Sequence, residues 1–131
     1  MTTELTVLAW GCVLAFVHIF AAAHMKTQQY GLKWNMGARD EALLEPKPVV
    51  GRFMRAQANF FETFPIVIAA VAILAISGRA NAHTALGAWL WLGGRVAYLP
   101  LYALGVPAVR SIAFAVSFVG IVMMLWPAFS G

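Results

Sequence analysis

The sequence has 131 residues, of which 62% are hydrophobic and only 11% are charged, whereas about a quarter of an ordinary soluble domain is charged. This composition excludes a set of soluble domains and indicates several membrane crossings, because each helical crossing needs about 20 largely apolar residues. The net charge of +4 does not indicate nucleic acid as a partner, since the basic residues are interleaved with the apolar runs.

The first apolar run covers residues 5–28, and we predict that it forms the first transmembrane helix. His18 interrupts the run, and we expect it to pack within the bundle or at an interface. Cys12 is the only cysteine, so it excludes an intrachain disulfide, and we expect it to be buried in mid-span. A cleaved signal peptide is the alternative for this run, but residues 1–4 carry no positive charge.

The only extended polar stretch is residues 30–51, and we predict that it is a loop without helix. Three further spans are predicted at about 52–77, 83–104 and 107–128. Short connections containing glycine and proline join these three spans, so neighbouring helices must run antiparallel. The predicted fold is an all-α integral membrane protein, a single domain over residues 1–131 with four transmembrane helices in an up-down bundle.

The basic residues predict the orientation in the membrane. Only Arg79 falls on the side of both termini. The other eight fall beside the first loop or the connection between spans three and four: Lys26, Lys33, Arg39, Lys47, Arg52, Arg55, Arg95 and Arg110. The positive-inside rule therefore makes the first loop cytoplasmic and both termini periplasmic. Tryptophans near span ends are usually interfacial anchors, a role that we predict for Trp10, Trp89, Trp91 and Trp126.

Two predicted spans carry polar residues at helical spacing. A rotation of 100° per residue places each set within about 80° of arc on its helix. The sets are Arg52, Arg55, Asn59 and Glu62 on span two, and Arg95, Tyr98 and Tyr102 on span three. Because charged side chains in a span usually face the bundle interior or a wet cavity, we expect the two sets to face each other. Arg110 and Ser111, at the start of span four, lie near the same membrane surface.

This combination of side chains indicates the chemistry of a ligand. Arginines bind carboxylates with paired donors, Glu62 accepts from an ammonium group, and Asn59 donates or accepts. An arginine beside a ligand thiol also favours the thiolate, which is the form that attacks electrophiles. In the alternative interpretation these residues only join helices, with Glu62 paired to Arg55 or Arg95. The three histidines are too scattered for a metal site, so none is predicted.

The string from Arg52 to Pro65 contains Arg-Ala-Gln-x-Asn-x-x-Glu-x-x-Pro and closely resembles the signature of the MAPEG family, the membrane-associated proteins in eicosanoid and glutathione metabolism. Arg95-Val96-Ala97-Tyr98 with Tyr102, followed by Arg110-Ser111, resembles the third-span and fourth-span motifs of the same family. The likeness extends over essentially the whole chain. It implies a homotrimer that binds glutathione between subunits near the cytoplasmic leaflet. The simplified first loop is similar to that of bacterial members, which implies a bacterial inner membrane.

The resemblance also assigns roles by position. It implies that glutathione is held by Arg55, Gln57, Asn59, Glu62, Tyr98 and Tyr102. It implies that Arg110 stabilises the thiolate and that Ser111 contributes to thiol activation, while Gln57 serves the site of the neighbouring subunit. We expect Arg52 and Arg95 to shape the charge of the site or to pair with Glu62. Thr63 departs from relatives such as leukotriene C synthase, in which a tyrosine follows the motif glutamate.

Together these features predict a membrane-bound glutathione S-transferase, with glutathione-dependent peroxidase activity as a further reaction. Glutathione is the thiol cosubstrate, and a small lipophilic electrophile enters from the lipid bilayer. One alternative is a membrane protein that binds lipid or glutathione without catalysis. A less favoured alternative is a small multidrug-type transporter, in which the membrane glutamate lies in the first span, whereas Glu62 lies in the second.

Overall fold

A computed structural model describes residues 1–130 of the chain, so Gly131, the last residue of the predicted domain, lies outside the described residues. Residues 1–130 form five α-helices and no β-strand, which confirms the predicted all-α class. The helices are α1 (Thr3–Tyr30), α2 (Leu32–Met36), α3 (Pro48–Ser77), α4 (Ala82–Ala103) and α5 (Pro107–Phe129).

The four long helices run up and down in turn. Between α3 and α4, Arg52 contacts Ala103 and Asn59 contacts Arg95, so residue numbers rise along one helix as they fall along the other. The same reversal relates α1 to α3 and α4 to α5, as shown by the contacts His18–Phe60, Gly11–Phe64, Gly87–Gly120 and Gly94–Ala113. The ends of α1 and α4 therefore lie beside the starts of α3 and α5.

Three of the helices, α1, α3 and α5, are long and apolar enough to cross a membrane. The fourth long helix, α4, has 22 residues, which gives a length of about 33 Å. Its sequence includes Arg95 and two tyrosines, and it does not qualify as a span by length and composition as the other three do. This length matches the bilayer core of about 30 Å. The helix α4 also runs beside α3 and α5, which are both long and apolar enough to span it. A fourth crossing by α4 stays a prediction.

The predicted loop over residues 30–51 is wrong in part, because it contains helical turns. Gly31 has a φ of 95°, a backbone conformation that suits glycine, and it separates α1 from the short helix α2. The third helix begins at Pro48, where a missing backbone N–H costs nothing because the first turn has no intrahelical acceptor. At the far end of the loop, Gln29 accepts from the backbone N–H of Lys47 at 2.8 Å and donates to the carbonyl of Glu45 at 3.0 Å.

The centre of the bundle is aromatic. Trp91 is 0% exposed and stacks on Phe64 at a centroid distance of 5.9 Å, so its predicted role as an interface anchor is wrong. Gly11 makes this burial possible, since a Cβ there would lie 2.7 Å from the Trp91 ring. His18 is buried and stacks on Phe60 at 4.7 Å, which confirms its predicted packing within the bundle. Cys12 is exposed rather than buried, because it lies on another face of α1.

Glycines let α4 and α5 approach closely, as small residues do at many membrane helix interfaces. A Cβ at Gly94 would lie 2.6 Å from the carbonyl oxygen of Ala113, and a Cβ at Gly120 would lie 2.6 Å from the backbone nitrogen of Trp91. This contact continues toward the first-loop end, where Tyr98 packs beside Phe114 at 6.2 Å. The close approach therefore brings the polar residues of α4 next to the start of α5.

The end of the bundle that holds both termini contains a buried polar contact of its own. Glu4 is 2% exposed and accepts a hydrogen bond from the Thr84 hydroxyl. Asn81 caps the start of α4, where its side chain accepts from the backbone N–H of Thr84. Arg79 donates to the carbonyls of Pro127 and Ser130 at the end of α5. These polar groups therefore join helix ends.

Candidate functional site

Polar side chains from three helices meet at the end of the bundle that holds the first loop. They surround a cavity of about 180 Å³. Its lining residues are Asn59 of α3, Tyr98 of α4, and Arg110, Ser111 and Phe114 of α5. The antiparallel arrangement explains this meeting, because the first half of α3, the second half of α4 and the start of α5 lie at one end.

One part of the site is built around Tyr102. Its hydroxyl accepts a hydrogen bond from Nε of Arg55 at 3.0 Å. The guanidinium of Arg110 lies over the Tyr102 ring, 4.7 Å from its centroid, in a cation–π contact. The neighbouring ring of Tyr98 lies 5.5 Å away. Two guanidinium groups thus approach one phenol from different directions.

A second part of the site is built around Arg95. Nη1 of Arg95 donates to Oδ1 of Asn59 at 2.7 Å, and the guanidinium lies 4.4 Å from the centroid of the Tyr98 ring. The side chain is 0% exposed. Its Nε and Nη2 have no hydrogen-bond partner within residues 1–130. Arg95 therefore lies outside the cavity and contacts two of the residues that line it, Asn59 and Tyr98.

The expected pairing of Arg52 or Arg95 with Glu62 does not occur. Nε of Arg52 donates to the carbonyl of Ala103 at 2.8 Å, which satisfies an acceptor in the last turn of α4. The guanidinium of Arg95 donates to Asn59 instead, and Glu62 is exposed on the surface of the protomer. Arg52 and Asn59 thus contact α4 as predicted, whereas Glu62, at the end of the same set on α3, is exposed and pairs with neither arginine.

The remaining candidate residues lie at or near the edge of the site. Ser111 is exposed, and its hydroxyl donates to the carbonyl of Pro107 at 3.3 Å. The hydroxyl hydrogen is therefore directed to the backbone of α5. Gln57 is half-buried and does not line the cavity. Within residues 1–130, no three His, Cys, Asp or Glu side chains lie close enough to hold a metal ion.

The MAPEG family profile matches residues 7–130, which is nearly the whole chain. The chain belongs to the MAPEG family. This family consists of membrane proteins and includes glutathione transferases and related enzymes, so the apolar helices are those of an integral membrane protein. No curated protein and no solved structure gave a significant match.

Sequence reasoning missed one lining residue of this MAPEG protein, Phe114. An apolar side chain in an apolar span carries no functional signal. Its position four residues after Arg110 was the available indication, because residues at that spacing share a helix face. The ring of Phe114 closes one wall of the cavity and lies 5.9 Å from the guanidinium of Arg95.

The arrangement favours an anionic ligand. Arg55, Arg95 and Arg110 contact the two tyrosine rings of the site. None of the lining residues of the cavity is a carboxylate. Because buried positive charge is costly inside a membrane bundle, a negatively charged group that enters the cavity is attracted to these guanidinium groups.

Proposed function

We propose that this MAPEG protein is a membrane-bound glutathione S-transferase that conjugates the glutathione thiolate to lipophilic electrophiles. A glutathione-dependent peroxidase reaction with lipid hydroperoxides belongs to the same proposal. The observation that carries it is the set of three guanidinium groups gathered with two phenols and one amide at a cavity without a carboxylate. Glutathione carries two carboxylates and a thiol, so it supplies the missing negative charge.

Arg110 is the residue best placed to stabilise the thiolate. It lines the cavity, and its guanidinium group is permanently positive and has five N–H donors. When the thiol proton leaves to solvent, the negative charge on sulfur is stabilised by this guanidinium, and the nucleophile is ready before the electrophile arrives. Asn59, Tyr98 and Ser111 line the same cavity and bind the rest of the ligand.

Exposed charges on α3 support association of the protein with itself. Arg55 and Glu62 are exposed on the protomer although they lie on a helix apolar enough to cross a membrane. Charged side chains are costly against lipid. A homotrimer removes this face from lipid, places glutathione between subunits, and brings Gln57 to the site of the neighbouring subunit.

The two substrates reach the site from different phases. The electrophile partitions into the bilayer, while glutathione enters from the aqueous side that the first loop faces. Eight of the nine lysines and arginines lie at this end, which supports a cytoplasmic first loop and termini on the opposite side. The bacterial inner membrane, with periplasmic termini, rests on the likeness of the simplified first loop to that of bacterial family members. In conjugation, a bond forms between sulfur and the electrophilic carbon while the leaving group departs. Holding both reactants together lowers the entropic part of the barrier.

Calorimetric titration of the detergent-purified protein with glutathione is the first test. Wild type should bind glutathione and should conjugate it to chlorodinitrobenzene in a spectrophotometric assay. Arg39→Gln is the matched control, because it removes an exposed arginine of the first loop that lies outside the cavity. This variant should match wild type in both measurements.

The outcomes separate the alternatives. Binding without turnover of chlorodinitrobenzene or of a lipid hydroperoxide indicates a non-catalytic binding protein. Proton-coupled efflux from vesicles that is abolished by Glu62→Gln indicates a transporter. A wild-type protein that binds no glutathione at millimolar concentration overturns the proposed function.

A further inference from the structure

Arg95 contacts the walls of the cavity without lining it. Its guanidinium touches three of the lining residues: the amide of Asn59 at 2.7 Å, the ring of Tyr98 at 4.4 Å and the ring of Phe114 at 5.9 Å. The Arg95 side chain is completely buried. It therefore reaches a ligand only through the residues in front of it.

The hydrogen bond from Arg95 determines how the amide of Asn59 is oriented. A guanidinium donates hydrogen bonds and accepts none, so the atom of Asn59 that it contacts must be the carbonyl oxygen. The NH₂ group of Asn59 is then on the other side of the amide, and Asn59 lines the cavity. Asn59 is thereby held as a donor, although an asparagine in general donates or accepts.

We propose that Arg95 is a positioning residue that acts through Asn59 and makes the cavity selective for an anionic, hydrogen-bond-accepting group of the ligand. This inference rests on the proposed function, since glutathione is the ligand on which it is tested. Asn59 and Arg110 then present donors to the same space. The ammonium group of glutathione is excluded from this cavity and binds elsewhere.

A purely structural role explains Arg95 poorly. Its Nε and Nη2 are buried without a hydrogen-bond partner within residues 1–130, and its one side-chain hydrogen bond is to Asn59. Removing a guanidinium from water is costly, and well-packed apolar residues often stabilise a buried position better than a charge does. The burial of this guanidinium with two unpartnered nitrogens therefore favours a role in orienting the amide of Asn59.

Asn59→Asp is the most direct test, because it keeps the size of the side chain and its contact with Arg95 but presents no donor to the cavity. The glutathione affinity of this variant should fall at least about tenfold, the loss typical of a hydrogen bond to a charged group. Its melting temperature in the absence of ligand should be equal to or higher than that of wild type. If Asn59 had only a structural role, its substitution would not lower glutathione affinity while leaving the melting temperature unchanged or raised.

A double-mutant cycle tests whether Arg95 acts through Asn59. Arg95→Met should weaken glutathione binding roughly fivefold to tenfold when Asn59 is present, less than the loss of the whole hydrogen bond, because the Asn59 amide can then turn either its donor or its acceptor toward the ligand. The same substitution should have little further effect in an Asn59→Ala background. Arg95→Lys, which keeps one donor for Oδ1, should restore most of the affinity. If Arg95→Met does not fold, the same cycle is measured with Arg95→Gln, which cannot fix the orientation of the Asn59 amide because its own amide both donates and accepts.

The failures are distinguishable. A wild-type protein that binds no glutathione overturns the proposed function and, with it, this inference. The inference alone is overturned if wild type binds glutathione but Asn59→Asp binds it equally tightly. It is also overturned if Arg95→Met reduces affinity by the same factor with and without Asn59.

Discussion

The two ends of the bundle both contain buried polar groups, but they use them differently. At the end with both termini, Glu4 is bonded to Thr84, and Arg79 is bonded to the last carbonyls of α5. At the first-loop end, Arg95 retains two buried nitrogens without a partner within residues 1–130, and Glu62 and Arg55 are exposed. At one end polar groups satisfy one another and join helices, whereas at the other end unsatisfied and exposed polar groups lie beside a cavity, as expected where a ligand or a neighbouring subunit binds.

The largest expected effect comes from Arg110→Ala at the first-loop end. Loss of the guanidinium removes the charge that stabilises the thiolate, so kcat for conjugation should fall about 100-fold or more. Steady-state kinetics with chlorodinitrobenzene measure this effect. The melting temperature should change little, because Arg110 lines the cavity and its cation–π contact with Tyr102 contributes only about 1 kcal/mol. A fall in stability with kcat intact would mean that this end, too, only joins helices.

Gly120→Ala tests the glycine contact that links the two ends. The new methyl group would meet the backbone of Trp91 at 2.6 Å, and such overpacking costs up to about 3 kcal/mol. We expect a lower melting temperature and a lower conjugation rate together, since the displaced α5 carries Arg110. Gly93→Ala is the matched control, because nothing lies within 4 Å of its Cβ. Equal effects of the two substitutions would argue against close packing of α4 and α5.

Thr84→Val tests the polar contact at the end with both termini. The substitution keeps the shape of the side chain but leaves the Glu4 carboxylate without its donor, which should reduce the free energy of unfolding by about 1–2 kcal/mol. Thermal unfolding in detergent measures the loss. Glutathione affinity should not change. If Thr84→Val lowered glutathione affinity as much as a cavity variant does, the end with both termini would also contribute to ligand binding, contrary to the comparison.

His18→Leu should have the smallest effect, and it should be stabilising. Both ring nitrogens of His18 are buried without a partner within residues 1–130, and burying unpaired polar atoms is costly. Replacing the ring with an apolar side chain should therefore raise the free energy of unfolding by up to about 1 kcal/mol. Thermal unfolding again measures the change, with Cys12→Ala as an exposed control on the same helix. A marked destabilisation would show that His18 has a polar role.

Much of the fold follows from local patterns in the sequence. Apolar runs of span length predicted the long helices, and short connections predicted their antiparallel order. The spacing of Arg52 and Asn59 on α3 predicted that they face α4, as they do. These predictions succeeded because helical periodicity and loop length depend on residues close together in the chain.

The errors concern contacts between distant residues. Trp91 is buried because Gly11, eighty positions away, leaves room for its ring. Glu62 shares a helix face with Asn59 by arithmetic, yet its side chain is exposed while the arginines bind other acceptors. Such outcomes depend on which side chains meet across helices, and spacing within one helix does not specify this.

The exposed position of Cys12 offers a practical route to the arrangement of the protein in its membrane. As the only thiol of the chain, it accepts a nitroxide label without prior mutagenesis, and its exposure on α1 means that the label does not disturb the aromatic centre. The enhancement of the label's spin relaxation by oxygen and by a water-soluble nickel complex would then give the depth of Cys12 in the bilayer. Dipolar distances between labels in neighbouring copies would report how many chains assemble.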